Sequence, residues 1–145
     1  RRLPIYVGVE GFPISAEEVL QMNYVNQLNA NQFELEFKKM HQSDWEENVT
    51  ISEHFRLTKR KQLFNDINDK NQFDIIYFDA FGYRVQPELW SVEIFIIMFE
   101  ALKEGGILVT YACRGPIKNA MKEAGFQIEK LSGPPGKREM LRGWK

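Results

Sequence analysis

The sequence contains little cysteine or histidine, which bears on the classes of protein it can belong to. Its 145 residues include one cysteine, Cys113, which has no partner for an internal disulfide. Its two histidines, His41 and His54, are too few and too far from Cys113 to form a Cys/His zinc cluster. These absences predict a protein of a reducing compartment, the cytoplasm, that holds no metal.

Long apolar runs and a net charge of one sign are also absent. The longest apolar run, from Ile94 to Phe99, is far shorter than the roughly 20 residues of a membrane-spanning helix. Nineteen Lys and Arg residues balance twenty Asp and Glu residues, so the formal net charge is -1. No global field therefore attracts nucleic acid or an anionic membrane, and any contact with RNA must be local.

The composition is that of an ordered globular domain, with 43% hydrophobic and 27% charged residues. The chain opens with Arg1 to Pro4, without an initiating methionine, and a strand pattern follows almost at once. We therefore expect residues 1–145 to form one partial domain that is truncated at its N-terminus.

Strand and helix patterns alternate along the chain, which predicts an α/β fold. The apolar stretch 73–79 is typical of a central parallel strand that is covered on both faces. The sheet is expected to be mostly parallel and to end in an antiparallel C-terminal hairpin. The predicted strands are 5–10, a loose hairpin or one bent strand over 49–58, 73–79, 107–111, 126–131 and 139–144, and the predicted helices are 16–28, 33–40, 92–104 and 115–124.

Ligands of open α/β sheets bind at the carboxyl ends of the strands, so the residues that end each strand are candidates for function. Glu10 ends the first strand, where a carboxylate can accept hydrogen bonds from the ribose of a nucleotide-like cofactor. Asp79 ends the strand 73–79 and can face a substrate amine. The alternative for each acid is a solvated side chain at a strand end.

Aromatic and basic residues surround these strand ends. The loop after Asp79 carries Phe81 and leads to Trp90, and their rings can stack on a nucleobase or simply belong to the core. Basic side chains that can neutralise phosphates, or form a solvated edge, are Arg114, Lys137, Arg138, Arg142 and Lys145. Cys113 has no histidine nearby in sequence to activate it, so we interpret it as a bystander.

Four segments, taken in order, resemble the methyltransferase module of the MnmC-like tRNA-modifying enzymes. These segments are Phe78-Asp79-Ala80-Phe81, Gln86 to Trp90, Glu104 to Tyr111 and Gly133 to Met140. The turn Glu10-Gly11-Phe12-Pro13 resembles the segment that follows the glycine-rich loop of that family. The loop Gly82-Tyr83-Arg84 departs from the family pattern, as does Gln86, which leaves the shape of the substrate loop open.

The resemblance implies a Rossmann-like class I fold, with S-adenosylmethionine as cofactor and tRNA as partner. It implies N-methylation of the 5-aminomethyl group of 2-thiouridine at the wobble position, and a fused or separate FAD-dependent oxidase. Glu10, Gly11 and Phe12 would then bind the cofactor and Asp79 the substrate amine. The pocket would be shaped by Phe81, Trp90 and Tyr111, and Arg114, Lys137 and Arg138 would lie near the RNA.

The family sheet has a central first strand with a glycine-rich loop, and we expect both to be missing from this chain. Either the strand with Val7 pairs directly with the strand with Ile76, or a neighbouring chain fills the gap, or further residues exist. A truncated product would bind S-adenosylmethionine poorly. The alternative functions are methylation of another amine or small molecule, and a non-catalytic RNA- or protein-binding module with an incomplete cofactor site.

Overall fold

The computed structural model describes residues 2–145, and Arg1 lies outside the described part. The chain divides into two compact units, the first ending at Leu63 and the second running from Phe64 to Lys145. Among residues 2–145, no helix is long and apolar enough to span a bilayer. The same residues contain no group of three or more His, Cys, Asp or Glu placed to hold a metal ion.

The first unit contains a three-stranded sheet in the order β1-β3-β2. Strand β3 pairs in parallel with β1 and antiparallel with β2, so the predicted hairpin over 49–58 is confirmed. The elements of this unit are β1 (Ile5–Glu10), α1 (Ala16–Gln21), α2 (Tyr24–Gln27), a 3₁₀ turn (Asn31–Phe33), α3 (Glu34–Gln42), β2 (Asn48–Ser52) and β3 (Phe55–Lys61).

Helix α1 begins with a capping box. The Ser15 hydroxyl accepts a hydrogen bond from the Glu18 N–H at 3.2 Å, and the Glu18 carboxylate accepts one from the Ser15 N–H at 2.7 Å. The helix does not continue to Leu28 as predicted, because Met22 is extended, with φ −72° and ψ 126°. The Asn26 side-chain amide donates to Asn23 Oδ1 at 2.8 Å, a contact between residues three apart at the start of α2.

The second unit contains a four-stranded sheet in the order β4-β5-β7-β6. Its elements are a 3₁₀ turn (Phe64–Asp66), β4 (Phe73–Phe78), a 3₁₀ turn (Pro87–Trp90), α4 (Val92–Ala101), β5 (Leu102–Thr110), α5 (Gly115–Glu123), β6 (Gln127–Ser132) and β7 (Glu139–Trp144). Fully buried side chains of β5, α4 and α5 pack together in its core, including those of Leu102, Leu108, Phe95, Ile117 and Met121.

The α/β class and the antiparallel C-terminal hairpin are confirmed, but the strand pairing differs from the expectation. The described strands form two sheets, in which two of the five pairings are parallel, β1 with β3 and β4 with β5. Within residues 2–145, the strand bearing Val7 therefore does not pair with the strand bearing Ile76. Glu10 and Asp79 accordingly follow strands of different sheets rather than of one.

Strand β4 is an edge strand of the described sheet, whereas its apolar sequence predicted a central one. One face contributes Phe78 to the core, while Ile75 and Tyr77 on the other face are 45% and 64% exposed. Apolar composition indicates that a strand can be covered on both faces, but it does not supply the neighbouring element that covers it.

Helix α4 ends earlier than its sequence indicated. Gly105 and Gly106 were expected to end the helix, but it ends at Ala101 and both glycines lie inside β5. The pairing with β4 shifts here, since Leu102 pairs with Phe73 and Ile107 with Ile75. Gly105 adopts φ +76°, and a Cβ on Gly106 would lie 2.8 Å from the Lys103 carbonyl oxygen. The two glycines therefore permit an irregularity in the strand.

Candidate functional site

Asp79 follows directly after β4 and is exposed, at the carboxyl end of the parallel pair β4 and β5. The peptide units that come next are not free to move. The Tyr111 hydroxyl donates to the Ala80 carbonyl at 2.7 Å, and the Trp90 indole N–H donates to the Phe81 carbonyl at 2.8 Å. Two consecutive carbonyls are thus fixed immediately after the carboxylate.

Tyr111 lies just beyond the end of β5, which brings it beside the end of β4. Burial, and secondly the negative charge of Asp79, raise the pKa of the Tyr111 hydroxyl above its ordinary value. The hydroxyl therefore stays protonated and remains a hydrogen-bond donor to Ala80. Tyr111 therefore lies close enough to Asp79 to feel its charge, and their membership of one substrate site stays a prediction.

Trp90 is 2% exposed, so its ring serves mainly as a support. It packs edge-on against Phe78 at 5.1 Å and against Tyr111 at 5.9 Å between ring centroids. Phe81 differs, because its side chain is 69% exposed and offers a free aromatic face. A buried indole N–H needs a hydrogen-bond acceptor. This need was the sequence signal that could have predicted a supporting role for Trp90.

The loop continues as a tight turn. The Val85 N–H and the Gln86 N–H both donate to the Gly82 carbonyl, at 2.8 and 3.1 Å. With the bonds at Ala80 and Phe81, these contacts fix the backbone on both sides of the exposed Phe81 ring. Sequence analysis did not identify this network, because backbone carbonyls carry no signal in the sequence.

The second candidate group, Glu10 with Gly11 and Phe12, belongs to the first unit. One Glu10 carboxylate oxygen accepts the Phe12 N–H at 3.0 Å, which orients the exposed side chain. The Phe12 ring is 77% exposed. Gly11 lies close to Leu63, whose Cδ2 would be 3.0 Å from a Cβ added at Gly11. The turn therefore presents an oriented carboxylate beside a free aromatic face.

The predicted basic residues fall into two groups. Arg142 donates to the Glu129 carboxylate at 2.6 Å and lies over the Trp144 ring, while Lys145 donates to Asn71 and to the Leu102 carbonyl. These two cations are therefore engaged in internal contacts. Arg114 and Arg138 are exposed.

Lys137 stands apart from both groups. Its ammonium nitrogen lies 4.4 Å from the centre of the Tyr111 ring, in a cation–π contact. The structure thus brings Asp79, Phe81, Trp90, Tyr111 and Lys137 together in the second unit.

The cysteine and histidines remain outside this group. Cys113 is a free thiol of intermediate exposure. His41 packs against Phe37 at 4.6 Å, and burial, together with the charge of Lys59, lowers the pKa of its imidazole. His54 is largely exposed and lies beside Glu53. None of these side chains forms a recognisable catalytic arrangement in the described structure.

A Rossmann-like sheet with polar side chains at the ends of its parallel strands defines a class of nucleotide- and cofactor-dependent enzymes. The family model of the S-adenosyl-L-methionine-dependent methyltransferases matches residues 21–145. The chain belongs to this family, and S-adenosyl-L-methionine is the cofactor of the family.

Several curated relatives carry the name tRNA 5-methylaminomethyl-2-thiouridine biosynthesis bifunctional protein MnmC. The one from Actinobacillus pleuropneumoniae serotype 5b is 26% identical over 151 residues, covering 97% of this chain and 22% of that protein. The one from Nitrosospira multiformis is 37% identical over 70 residues, 48% of this chain and 11% of that protein. The matched segments thus span about a tenth to a fifth of the length of these relatives.

Solved structures support the fold. The crystal structure of MNMC2 from Aquifex aeolicus matches with a TM-score of 0.63 and 16% identity, over 97% of this chain and 43% of that one. A protein of Bordetella parapertussis described as a possible exported protein matches with a TM-score of 0.56 and 14% identity, over 96% of this chain and 52% of that one. At these identities the likeness concerns the fold.

The turn after β1 fits part of S-adenosyl-L-methionine. Glu10 is exposed, and one oxygen of its carboxylate is fixed by the Phe12 N–H. An acceptor of this kind suits the hydroxyls of a ribose, and the exposed Phe12 ring suits the flat face of an adenine. The residues present therefore fit the nucleoside part of the cofactor.

Proposed function

We propose that this chain takes part in the N-methylation of the 5-aminomethyl group of 2-thiouridine at the wobble position of tRNA. The observation that carries the proposal is the placement of Asp79 in a member of the methyltransferase family. Its exposed carboxylate follows β4, beside Tyr111, on a loop that Tyr111 and Trp90 hold at Ala80 and Phe81. The names of the MnmC relatives support the choice of substrate.

In this proposal Asp79 binds the substrate amine. An alkyl amine is mostly protonated near neutral pH, so it must lose a proton before its nitrogen can act as a nucleophile. The Asp79 carboxylate accepts a hydrogen bond from the amine nitrogen and provides an acceptor for the departing proton. It also stabilises the positive charge that develops on the methylated nitrogen. Its fixed loop keeps the nitrogen in one orientation, which lowers the entropic cost of reaction.

S-adenosyl-L-methionine, when bound, supplies a methyl group on a positively charged sulfur, which is already activated for transfer to a nucleophile. Glu10 would hold the ribose hydroxyls, and Gly11 and Phe12 would contact the nucleoside. The chain then needs to supply orientation and exclusion of water rather than a strong base. Residues 1–145 would accordingly act as a methyltransferase domain or as part of one.

The RNA would be recognised by stacking and by phosphate contacts. Phe81, with 69% of its side chain exposed, would stack on the modified base or its neighbour. Arg114 and Arg138 are the exposed cations that would neutralise phosphates. The formal net charge of -1 makes these local contacts the source of RNA affinity.

An amine substrate of this kind must be produced by an earlier reaction. The relatives are described as bifunctional, which supports a second activity that acts in the same modification. We propose an FAD-dependent oxidase, fused or separate, as the partner that supplies the aminomethyl group.

The test uses full-length protein, radiolabelled S-adenosyl-L-methionine and two tRNA preparations. One preparation carries the aminomethyl intermediate and the other is fully modified. We expect label in the first alone, with 5-methylaminomethyl-2-thiouridine as the labelled nucleoside in its digest. Absence of label from both would overturn the proposal, and label in a small amine but not in tRNA would indicate another methyltransferase substrate.

A further inference from the structure

We propose that Lys137 is a positioning residue for Asp79, acting through the Tyr111 ring, and that it is not a contact for the RNA backbone. This inference rests on the proposed function, because it assigns Asp79 the substrate amine. It assigns different roles to two adjacent cations, Lys137 and Arg138, which the sequence does not distinguish.

The Lys137 ammonium is already bound within the protein. It lies 4.4 Å from the centre of the Tyr111 ring and its residue is half-buried. A cation over an aromatic face is attracted by the ring quadrupole, and more strongly where water is partly excluded. A phosphate on the open side of the ammonium would draw it away from the ring and so compete with this contact.

The turn that carries Lys137 is closed by its own backbone. The Gly133 N–H donates to the Arg138 carbonyl at 3.2 Å, and the Lys137 N–H donates to the Pro134 carbonyl at 2.9 Å. A Cβ on Gly133 would lie 2.5 Å from the Lys137 carbonyl oxygen, so the close approach depends on glycine. The position of the Lys137 backbone beside Tyr111 is thus fixed.

Tyr111 connects the Lys137 ammonium to the loop that follows Asp79. Its hydroxyl holds the Ala80 carbonyl at 2.7 Å, and its ring packs edge-on against Trp90 at 5.9 Å. Ala80 follows Asp79 directly in the chain. A change in the tilt of the Tyr111 ring therefore moves the peptide next to the carboxylate, and the Lys137 ammonium over the ring restricts that tilt.

Arg138 provides a matched control in the same turn. Its side chain is exposed, whereas that of Lys137 is half-buried and lies over the Tyr111 ring. The Arg138 guanidinium is therefore open to a phosphate, whereas the Lys137 ammonium is held over the Tyr111 ring. Removal of Lys137 should therefore affect turnover, whereas removal of Arg138 should affect RNA affinity.

The experiment compares Lys137→Met, Lys137→Arg and Arg138→Met in full-length protein, with tRNA that carries the aminomethyl intermediate. For Lys137→Met we expect kcat to fall about 10- to 100-fold, the range that small misplacements produce, with KM and its salt dependence unchanged. Lys137→Arg should recover most of kcat, because Arg also binds aromatic faces. Arg138→Met should raise KM and reduce the salt slope by about 0.7 to 0.9, with kcat unchanged.

A second measurement needs no substrate. The Val85 and Gln86 amides are held by the Gly82 carbonyl, so their hydrogen exchange reports on the loop after Asp79. Exchange of these amides should be faster in Lys137→Met than in wild type and unchanged in Arg138→Met. Circular dichroism of each variant establishes that it is folded.

Two results would overturn the inference. One is a Lys137→Met variant with raised KM, a lower salt slope and normal kcat, which would make Lys137 a phosphate contact. The other is unchanged loop exchange in that variant. If wild-type protein methylates no tRNA, the proposed function fails, and the exchange measurement alone decides whether Lys137 positions the loop.

Discussion

The second unit of the chain buries many of its large apolar side chains, whereas the first unit buries few of its own. In residues 64–145, Phe95, Leu102, Leu108, Ile117 and Leu141 are fully buried. Among the described residues of the first unit, Ile51 and Leu57 are the buried hydrophobic ones, while large exposed ones include Leu20, Leu28 and Leu35, at 83%, 73% and 79%.

This difference bears on how each candidate group is held. Asp79 stands on a loop fixed to buried aromatic rings, so its orientation depends on the packed core of its unit. Glu10 is oriented by one bond to Phe12, two residues away in the same turn. Packing between residues distant in sequence thus holds Asp79, the proposed substrate-binding carboxylate. A local hydrogen bond orients Glu10, the proposed cofactor-binding carboxylate.

The largest effect is expected from Asp79→Asn. The amide cannot accept a proton or balance a developing charge, so methyl transfer should fall about 100- to 10,000-fold in kcat. Steady-state assays with the intermediate tRNA measure this. The control is Asp74→Asn, an exposed acid of the same strand that pairs with Lys103. Equal losses in both variants would show that the strand, and not the carboxylate at its end, is responsible.

The next largest effect is on the free energy of unfolding, and a leucine-to-alanine substitution in each unit compares the two units directly. Leu108→Ala removes a side chain with 0% exposure and should lower the free energy of unfolding by about 2 to 5 kcal/mol. Leu20→Ala removes one that is 83% exposed and should change it by about 0.5 kcal/mol or less. Urea unfolding of full-length protein provides both values, and a similar loss in the two variants would contradict the comparison.

A smaller effect is expected from Glu10→Gln. Hydrogen bonds to a charged group contribute about 1.5 to 3 kcal/mol, so the Kd for S-adenosyl-L-methionine should rise about 10- to 100-fold. Calorimetric titration measures this, with Glu47→Gln as the control because Glu47 is also an exposed acid of the first unit. An unchanged Kd in Glu10→Gln would exclude Glu10 from the cofactor site.

The smallest effect concerns alkaline pH. Burial and the Asp79 charge raise the pKa of Tyr111, so folding favours its protonated form. This contribution to stability is fully present below the pKa of the unfolded state and is lost as pH rises through the higher pKa of the folded state. The difference in unfolding free energy between wild type and Tyr111→Phe should therefore shrink above about pH 10. A difference that grows there would contradict the assignment.

Much of the local structure was predictable from sequence. The capping box at Ser15 and Glu18, strand β1 and the C-terminal hairpin all follow from residue type and spacing. The break after α1 and the end of α4 were not predicted. In both places the apolar spacing continues, but the backbone leaves the helix, at the extended Met22 after α1 and at Leu102, which pairs with Phe73 of β4.

The sequence by itself determined which residue types end each strand, and so where Glu10 and Asp79 occur, because these features depend on neighbours within a few positions. The tertiary structure decided what Trp90, Tyr111 and Lys137 contact. Arg142 and Lys145 likewise found partners inside the protein. Long polar and aromatic side chains reach residues distant in sequence, so their partners are set only when the strands and helices have packed together.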